Sequence, residues 1–155
     1  SAYDAWSAYR PETEGVLVAY TSIYGHTAAA AEKLAAALQE KGKEVCVMDL
    51  ARCDMAEAVA QAFRYSKLVL ASPTYNGDVF PFTKSFIEHL TERNYQNHTV
   101  AFVENGSWAP TAARVMAKML EGAKNLTVAA PTVTVKGALN PDSEAQIAAL
   151  ADALC

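Results

Sequence analysis

Val16-Leu17-Val18-Ala19-Tyr20-Thr21-Ser22-Ile23-Tyr24-Gly25-His26-Thr27 is the stretch that decides how the rest of the chain is read. Its first five residues are apolar without a break, the pattern of a strand covered on both faces. Hydroxyls and a glycine follow. From residue 27 to 40, Ala31, Leu34, Ala35 and Leu38 recur at helical spacing, and Gly42 stands where a helix would end. Buried strand, polar loop and amphipathic helix together make one βα unit.

The unit repeats along the chain. Strands are expected at 15–20, 44–50, 67–72, 98–104 and 126–135, with helices at 27–40, 54–64, 81–92, 110–121 and 142–154. The helical stripes are Met55, Val59 and Phe63; Phe86 and Leu90; Val115, Met116 and Met119; and Ile147, Leu150 and Leu154. Apolar strands alternating with amphipathic helices predict an α/β three-layer sandwich, a parallel sheet covered on both faces and wound with right-handed crossovers. Residues 15–155 read as one domain, with no internal repeat or linker. Residues 1–14 read as a connector in which Tyr3, Trp6 and Tyr9 form an aromatic stripe suited to packing on a neighbouring surface.

Composition narrows the classes of function. The 155 residues are 52% hydrophobic and carry a net charge of −4 with no basic block, which argues against nucleic acid as a partner. Apolar runs are of strand length, short of the ~20 residues that cross a membrane. Asp4 and Arg10 interrupt any apolar opening, so no secretory signal is expected. Cys46, Cys53 and Cys155 are dispersed and odd in number, as free thiols in a reducing cytoplasm would be.

Three loops carry the chemistry, each after an apolar strand. In a doubly wound sheet, ligands bind beyond the strand C-termini where the winding reverses. The first loop, Thr21 to Thr27, brings Thr21, Ser22, Ile23, Tyr24, Gly25, His26 and Thr27 to the start of a helix. Such a start offers free amides and a positive dipole end, which with three hydroxyls can hold a phosphate without Lys or Arg. A plain helix cap is the alternative, although one hydroxyl suffices for that. The second loop holds Pro73, Thr74, Tyr75, Asn76, Gly77 and Asp78, and the third holds Asn105, Gly106, Ser107 and Trp108. Taken singly, Asn76-Gly77 is an ordinary turn and Trp108 an ordinary core cover. Two aromatic loops beside a phosphate loop suit a phosphorylated flat ring such as FMN.

Competing phosphate sites fit less well. Gly-x-Gly-x-x-Gly and Gly-Lys-Ser/Thr are both missing. A phosphoacceptor domain would need acids at Thr21-Ser22 and at the end of the third strand, where Ala71-Ser72-Pro73 stands. Asp49, after the second strand, reads as a helix cap.

The run Tyr20 to Thr27 resembles the flavodoxin phosphate-loop signature. With Ser72 to Gly77 and Gly106-Ser107-Trp108, the chain over 15–155 resembles the flavodoxin-like domain of flavodiiron proteins. That resemblance implies a five-stranded parallel sheet of order 2-1-3-4-5 and an FMN cofactor held by the three loops. It also implies an electron-donating reductase or rubredoxin-like protein, and onward transfer to a di-iron metallo-β-lactamase-like domain that reduces oxygen or nitric oxide. The third loop departs from the family's Gly-Ser-aromatic-Gly-Trp form. The di-iron domain is absent from this sequence, and His26, His89 and His98 are scattered, so neither a metal site nor a catalytic constellation is expected. Three other readings stand beside this one: a stand-alone flavodoxin, a flavin-dependent quinone reductase, and a flavin-free interaction module.

Overall fold

A computed structural model describes residues 13–21, 26–75, 78–79, 81–93, 95–96, 98–105, 112–121, 126–129, 132–135 and 141–154; Thr13, His26, Thr74, Tyr75, Asp78, Val79, Pro81 and Ala112 are described by backbone alone. Residues 1–12 of the connector, with its stripe of Tyr3, Trp6 and Tyr9, lie outside these residues, as does Cys155, while Thr13 and Glu14 fall in the first strand.

In chain order the elements are β1 (Thr13–Tyr20), α1 (His26–Glu40), β2 (Val45–Asp49), α2 (Met55–Arg64), β3 (Tyr65–Tyr75) and β4 (Asp78–Val79). They continue with α3 (Pro81–Glu92), β5 (Thr99–Asn105), α4 (Ala112–Met119), β6 (Thr127–Val128), β7 (Val133–Val135) and α5 (Pro141–Ala153). The parallel sheet runs β2-β1-β3-β5, and β6 and β7 share the last position beside β5. This is the expected order 2-1-3-4-5.

Side-chain alternation along the strands splits the core in two. Leu17, Ala19, Leu68, Leu70, Val100 and Phe102 pack with Ala58, Phe86, Ile87, Leu90 and Met116 of α2, α3 and α4. Val16, Val18, Val69, Ala71, Ala101 and Val103 pack on the other face with Leu34 and Leu38 of α1 and Ile147 and Leu150 of α5. The sheet is thus apolar on both sides, which is why its strands read as unbroken apolar runs.

Two details differ from expectation. Residues 126–135 form two short strands rather than one. Val100 pairs with Val128 and Val103 with Val133, five steps against three, so two more residues intervene on this side than on β5. Pro131 lies in that interval and has no N–H for the ladder. β3 also runs past Pro73 to Tyr75 and turns back as β4, pairing Thr74 with Val79 and Tyr75 with Asp78. Asn76-Gly77, the sequence between the paired residues, is the strongest short hairpin signal.

Gly42 ends α1 as its position suggested. It sits at φ +83, with its N–H donating to the Gln39 carbonyl and the Lys43 N–H donating to the Leu38 carbonyl. That pair of bonds is a Schellman cap.

Candidate functional site

β1, β3 and β5 end on the same edge of the sheet, and each of the three loops leaves from one of those ends. Ser22 to Gly25, Asn76, Gly77 and Gly106 to Trp108 lie outside the described residues, and the side chains of His26, Thr74, Tyr75 and Asp78 are not described. What the structure does show is the frame that carries these loops.

Helix N-termini differ sharply along this edge. α2 begins after Asp54 and has Glu57 in its first turn; α5 has Asp142 and Glu144. The start of α4 is occupied by a carboxylate, since Glu104 Oε1 accepts from the Ala113 amide at 3.1 Å. Among the described residues, only the starts of α1 and α3 have neither an acidic residue in the first turn nor a carboxylate on them. A bound anion is favoured where the helix dipole is not already compensated.

Of these two, α1 carries a buried hydroxyl with an unmet hydrogen bond. Thr27 is completely buried, and its Oγ1 has no hydrogen-bond partner among the described residues. A buried hydroxyl left unpaired costs about 1–3 kcal/mol. At a helix start that follows a loop of Ser, Tyr and Gly, this unmet donor suits a phosphate oxygen. The residues present therefore fit a phosphorylated cofactor.

Thr21 behaves differently from Thr27. Its amide donates to the Ala71 carbonyl at 3.0 Å, and its hydroxyl lies 3.4 Å from Ser72 Oγ and 2.9 Å from Thr83 Oγ1. All three hydroxyl residues are fully buried. Ser72 Oγ in turn donates to the Pro73 carbonyl at 3.0 Å, at the root of the second loop. Thr21 thus ties the end of β1 to β3 and to α3.

Glu104 ties the end of β5 to the start of α4 and to β7. It is 9% exposed, and besides the α4 amide its Oε2 accepts from Thr134 Oγ1 at 2.9 Å. Ser72 pairs in register with Glu104, and Glu104 with Thr134, so a polar row crosses the sheet just before the loops begin. Asn105 and Pro73, paired across the same edge, are both buried.

Sequence reading missed Thr83 and Glu104. The α3 stripe Phe86, Leu90 extended one step back lands on position 83, where a threonine replaces the expected apolar residue. Glu104 is an acid inside a strand two residues before a glycine. Asp49 proves to cap a turn rather than a helix: its Oδ1 accepts from the Ala51 amide at 3.0 Å, while Asp54 occupies the N-cap of α2.

Among the described residues no three His, Cys, Asp or Glu side chains are gathered as a metal site requires. His98 is buried between the Gln96 and Phe63 carbonyls, just before β5 and so at the opposite end of that strand from the third loop. Cys46 and Cys53 are free, and burial pushes both thiols up, away from the reactive thiolate. No described helix is long and apolar enough to cross a membrane.

A doubly wound parallel sheet, with three loops leaving the strand ends at its switch point, defines an α/β domain of the kind that binds a ligand at that edge. The family model for the flavodoxin domain matches residues 17–142, and the chain belongs to that family. Membership implies a flavin cofactor. The chain is 26% identical over 136 residues to the nitric oxide reductase of Moorella thermoacetica, covering 87% of this chain and 34% of that one. Its fold matches rubredoxin oxygen:oxidoreductase from Desulfovibrio gigas with a TM-score of 0.90 at 20% identity, over 98% of this chain and 37% of that one. It also matches the flavodiiron protein of Giardia intestinalis with a TM-score of 0.81 at 19% identity, over 98% and 39%. The chain spans about a third of the length of the curated relatives it matches, 30% and 34%.

Proposed function

We propose that this chain is an FMN-binding electron-transfer module of a flavodiiron system in the cytoplasm. It takes electrons from a reductase or rubredoxin-like donor and passes them to a di-iron domain carried on the same parent polypeptide or on a separate partner. The observation that carries this reading is the unpartnered, buried Thr27 hydroxyl at the acid-free start of α1. Bound flavin supplies reversible one- and two-electron chemistry that no side chain of the protein offers.

The residues divide the work of holding it. Amides of the first turn of α1, with Thr27 and Ser22, bind the phosphate. Tyr75 on the β3–β4 hairpin and Trp108 on the third loop flank the ring, and backbone groups of residues 73–78 and 105–108 meet its polar edge. The phosphate readout makes FMN, rather than riboflavin, the preferred flavin. Similarity to proteins about three times as long supports a module that works with a further domain.

Titrating the flavin-free chain with FMN and with riboflavin, followed by quenching of flavin fluorescence, tests the reading. FMN should bind more tightly, and Thr27→Val should weaken FMN roughly tenfold to a hundredfold, the worth of a hydrogen bond to a charged group, while leaving riboflavin unchanged. Equal affinity for the two flavins would refute the phosphate assignment.

A further inference from the structure

We propose that Thr83, on α3, is a positioning residue for the cofactor, acting through Thr21 and Ser72 to fix the roots of the first two loops against each other. This rests on the FMN reading above and adds a residue that lies outside the three loops.

Each hydroxyl has one hydrogen to give. Ser72 gives its hydrogen to the Pro73 carbonyl at 3.0 Å. It can then only accept from Thr21, at 3.4 Å, and Thr21, having donated to Ser72, accepts from Thr83 at 2.9 Å. A single orientation, Thr83 to Thr21 to Ser72 to the Pro73 carbonyl, uses every hydrogen in the chain. All three side chains are 0% exposed, so water cannot substitute for a missing partner.

The links join three separate elements. Thr21 is the residue on which the first loop begins, and Pro73 is where the second begins. Thr83 stands in the first turn of α3, the helix into which the β3–β4 hairpin leads. Its face of the helix is otherwise apolar, with Phe86, Ile87 and Leu90 fully buried. An aliphatic residue would fill the same space at less desolvation cost, so packing alone does not call for a hydroxyl there. The chain begins on α3, passes through Thr21 at the root of the phosphate-side loop and ends on a carbonyl at the root of the ring-side loop. Its effect is to hold the phosphate and ring subsites at one spacing, and preorganisation of this kind lowers the ordering cost of binding.

Three variants test the proposal: Thr83→Val, Thr83→Ser and Thr21→Val. Dissociation constants for FMN and the visible circular dichroism of bound FMN are read on each, with the thermal midpoint of the flavin-free chain measured alongside. Thr83→Val should weaken FMN about tenfold, the order expected for a lost buried hydrogen bond with its acceptor stranded, and should change the visible dichroism. Thr83→Ser should restore both. Thr21→Val should have a similar effect, and the double variant should be no weaker than the worse single one, because the two act in series. A Thr83→Val protein with a lowered midpoint but wild-type affinity and dichroism would overturn the proposal, leaving Thr83 a structural residue. Failure of Thr83→Ser to rescue, or additive losses in the double variant, would also overturn it. If Thr83→Val does not fold, Thr83→Ser and Thr21→Val still decide the matter. Wild-type protein that binds no flavin would sink the FMN reading and this inference together, whereas normal wild-type binding with indifferent variants sinks this one alone.

Discussion

Glu104 is the residue at which the frame of the site can be measured without any cofactor. It is 9% exposed, and its two oxygens accept from the Ala113 amide at 3.1 Å and the Thr134 hydroxyl at 2.9 Å. Glu104→Gln keeps the shape. The amide oxygen can still accept from Ala113, and the Thr134 hydroxyl can rotate to accept from the new NH2. What is lost is the negative charge at the start of α4, worth about 0.3–1 kcal/mol at a surface and up to ~2 kcal/mol when partly buried. Glu104→Met fills similar space but strands the buried Ala113 amide, at about 1–3 kcal/mol, and leaves the half-buried Thr134 hydroxyl without its acceptor at a smaller cost, so it should cost roughly 1–4 kcal/mol in all. In the Met background, Thr134→Val should recover part of the loss by removing one stranded hydroxyl. Urea unfolding of the flavin-free variants, followed by far-ultraviolet circular dichroism with linear extrapolation at unchanged m, reads these differences. Gln and Met variants within about 0.5 kcal/mol of each other and of wild type would refute the reasoning, because surface substitutions behave that way and a buried capping carboxylate should not.

Two further outcomes are expected away from the site. Gly42→Ala should destabilise by about 1 kcal/mol in the same urea assay, since φ +83 is strained for a side chain although no atom lies within 4 Å of the added Cβ. His98 is 4% exposed and stacked on Tyr95 at 4.3 Å; burial lowers its pKa from 6.5, and the Gln96 and Phe63 carbonyls only partly offset this. Because the unfolded chain takes up this proton first, the stability due to neutral His98 is complete above about pH 6.5 and is lost as pH falls through the lower folded value. The loss is at most about 1.4 kcal/mol per pH unit, and that part of the slope should vanish in His98→Gln.

The layered fold was legible because both core clusters write themselves into the sequence as a period. Ala31, Leu34 and Leu38 mark one face of α1, and Leu68 to Ala71 are apolar because both sides of the sheet are covered. The split of the last strand was not legible. Pro131 sits in an otherwise good strand sequence, and only the pairing of Val128 and Val133 to β5 shows the two-residue shift in register. At the candidate site, the cluster of hydroxyls in residues 21–27 falls at the edge where β1, β3 and β5 end. Which hydroxyl is engaged and which is open was beyond sequence, because it depends on partners 51 and 62 residues away, Ser72 and Thr83. Glu104 escaped notice for a similar reason: its carboxylate is read by a helix and a strand that reach it only in the fold.

Anaerobic stopped-flow mixing of the reduced, FMN-loaded chain with nitric oxide tests most directly whether this protein is a relay completed by another domain. No three metal-ligating side chains are gathered among its described residues, while an acid-free helix start with an open Thr27 hydroxyl is present. The chain should hold its electrons through many seconds with no multiple turnover of nitric oxide, and should give them up quickly once a di-iron metallo-β-lactamase-like domain is added. Rapid multiple turnover by the metal-free chain alone would contradict the account.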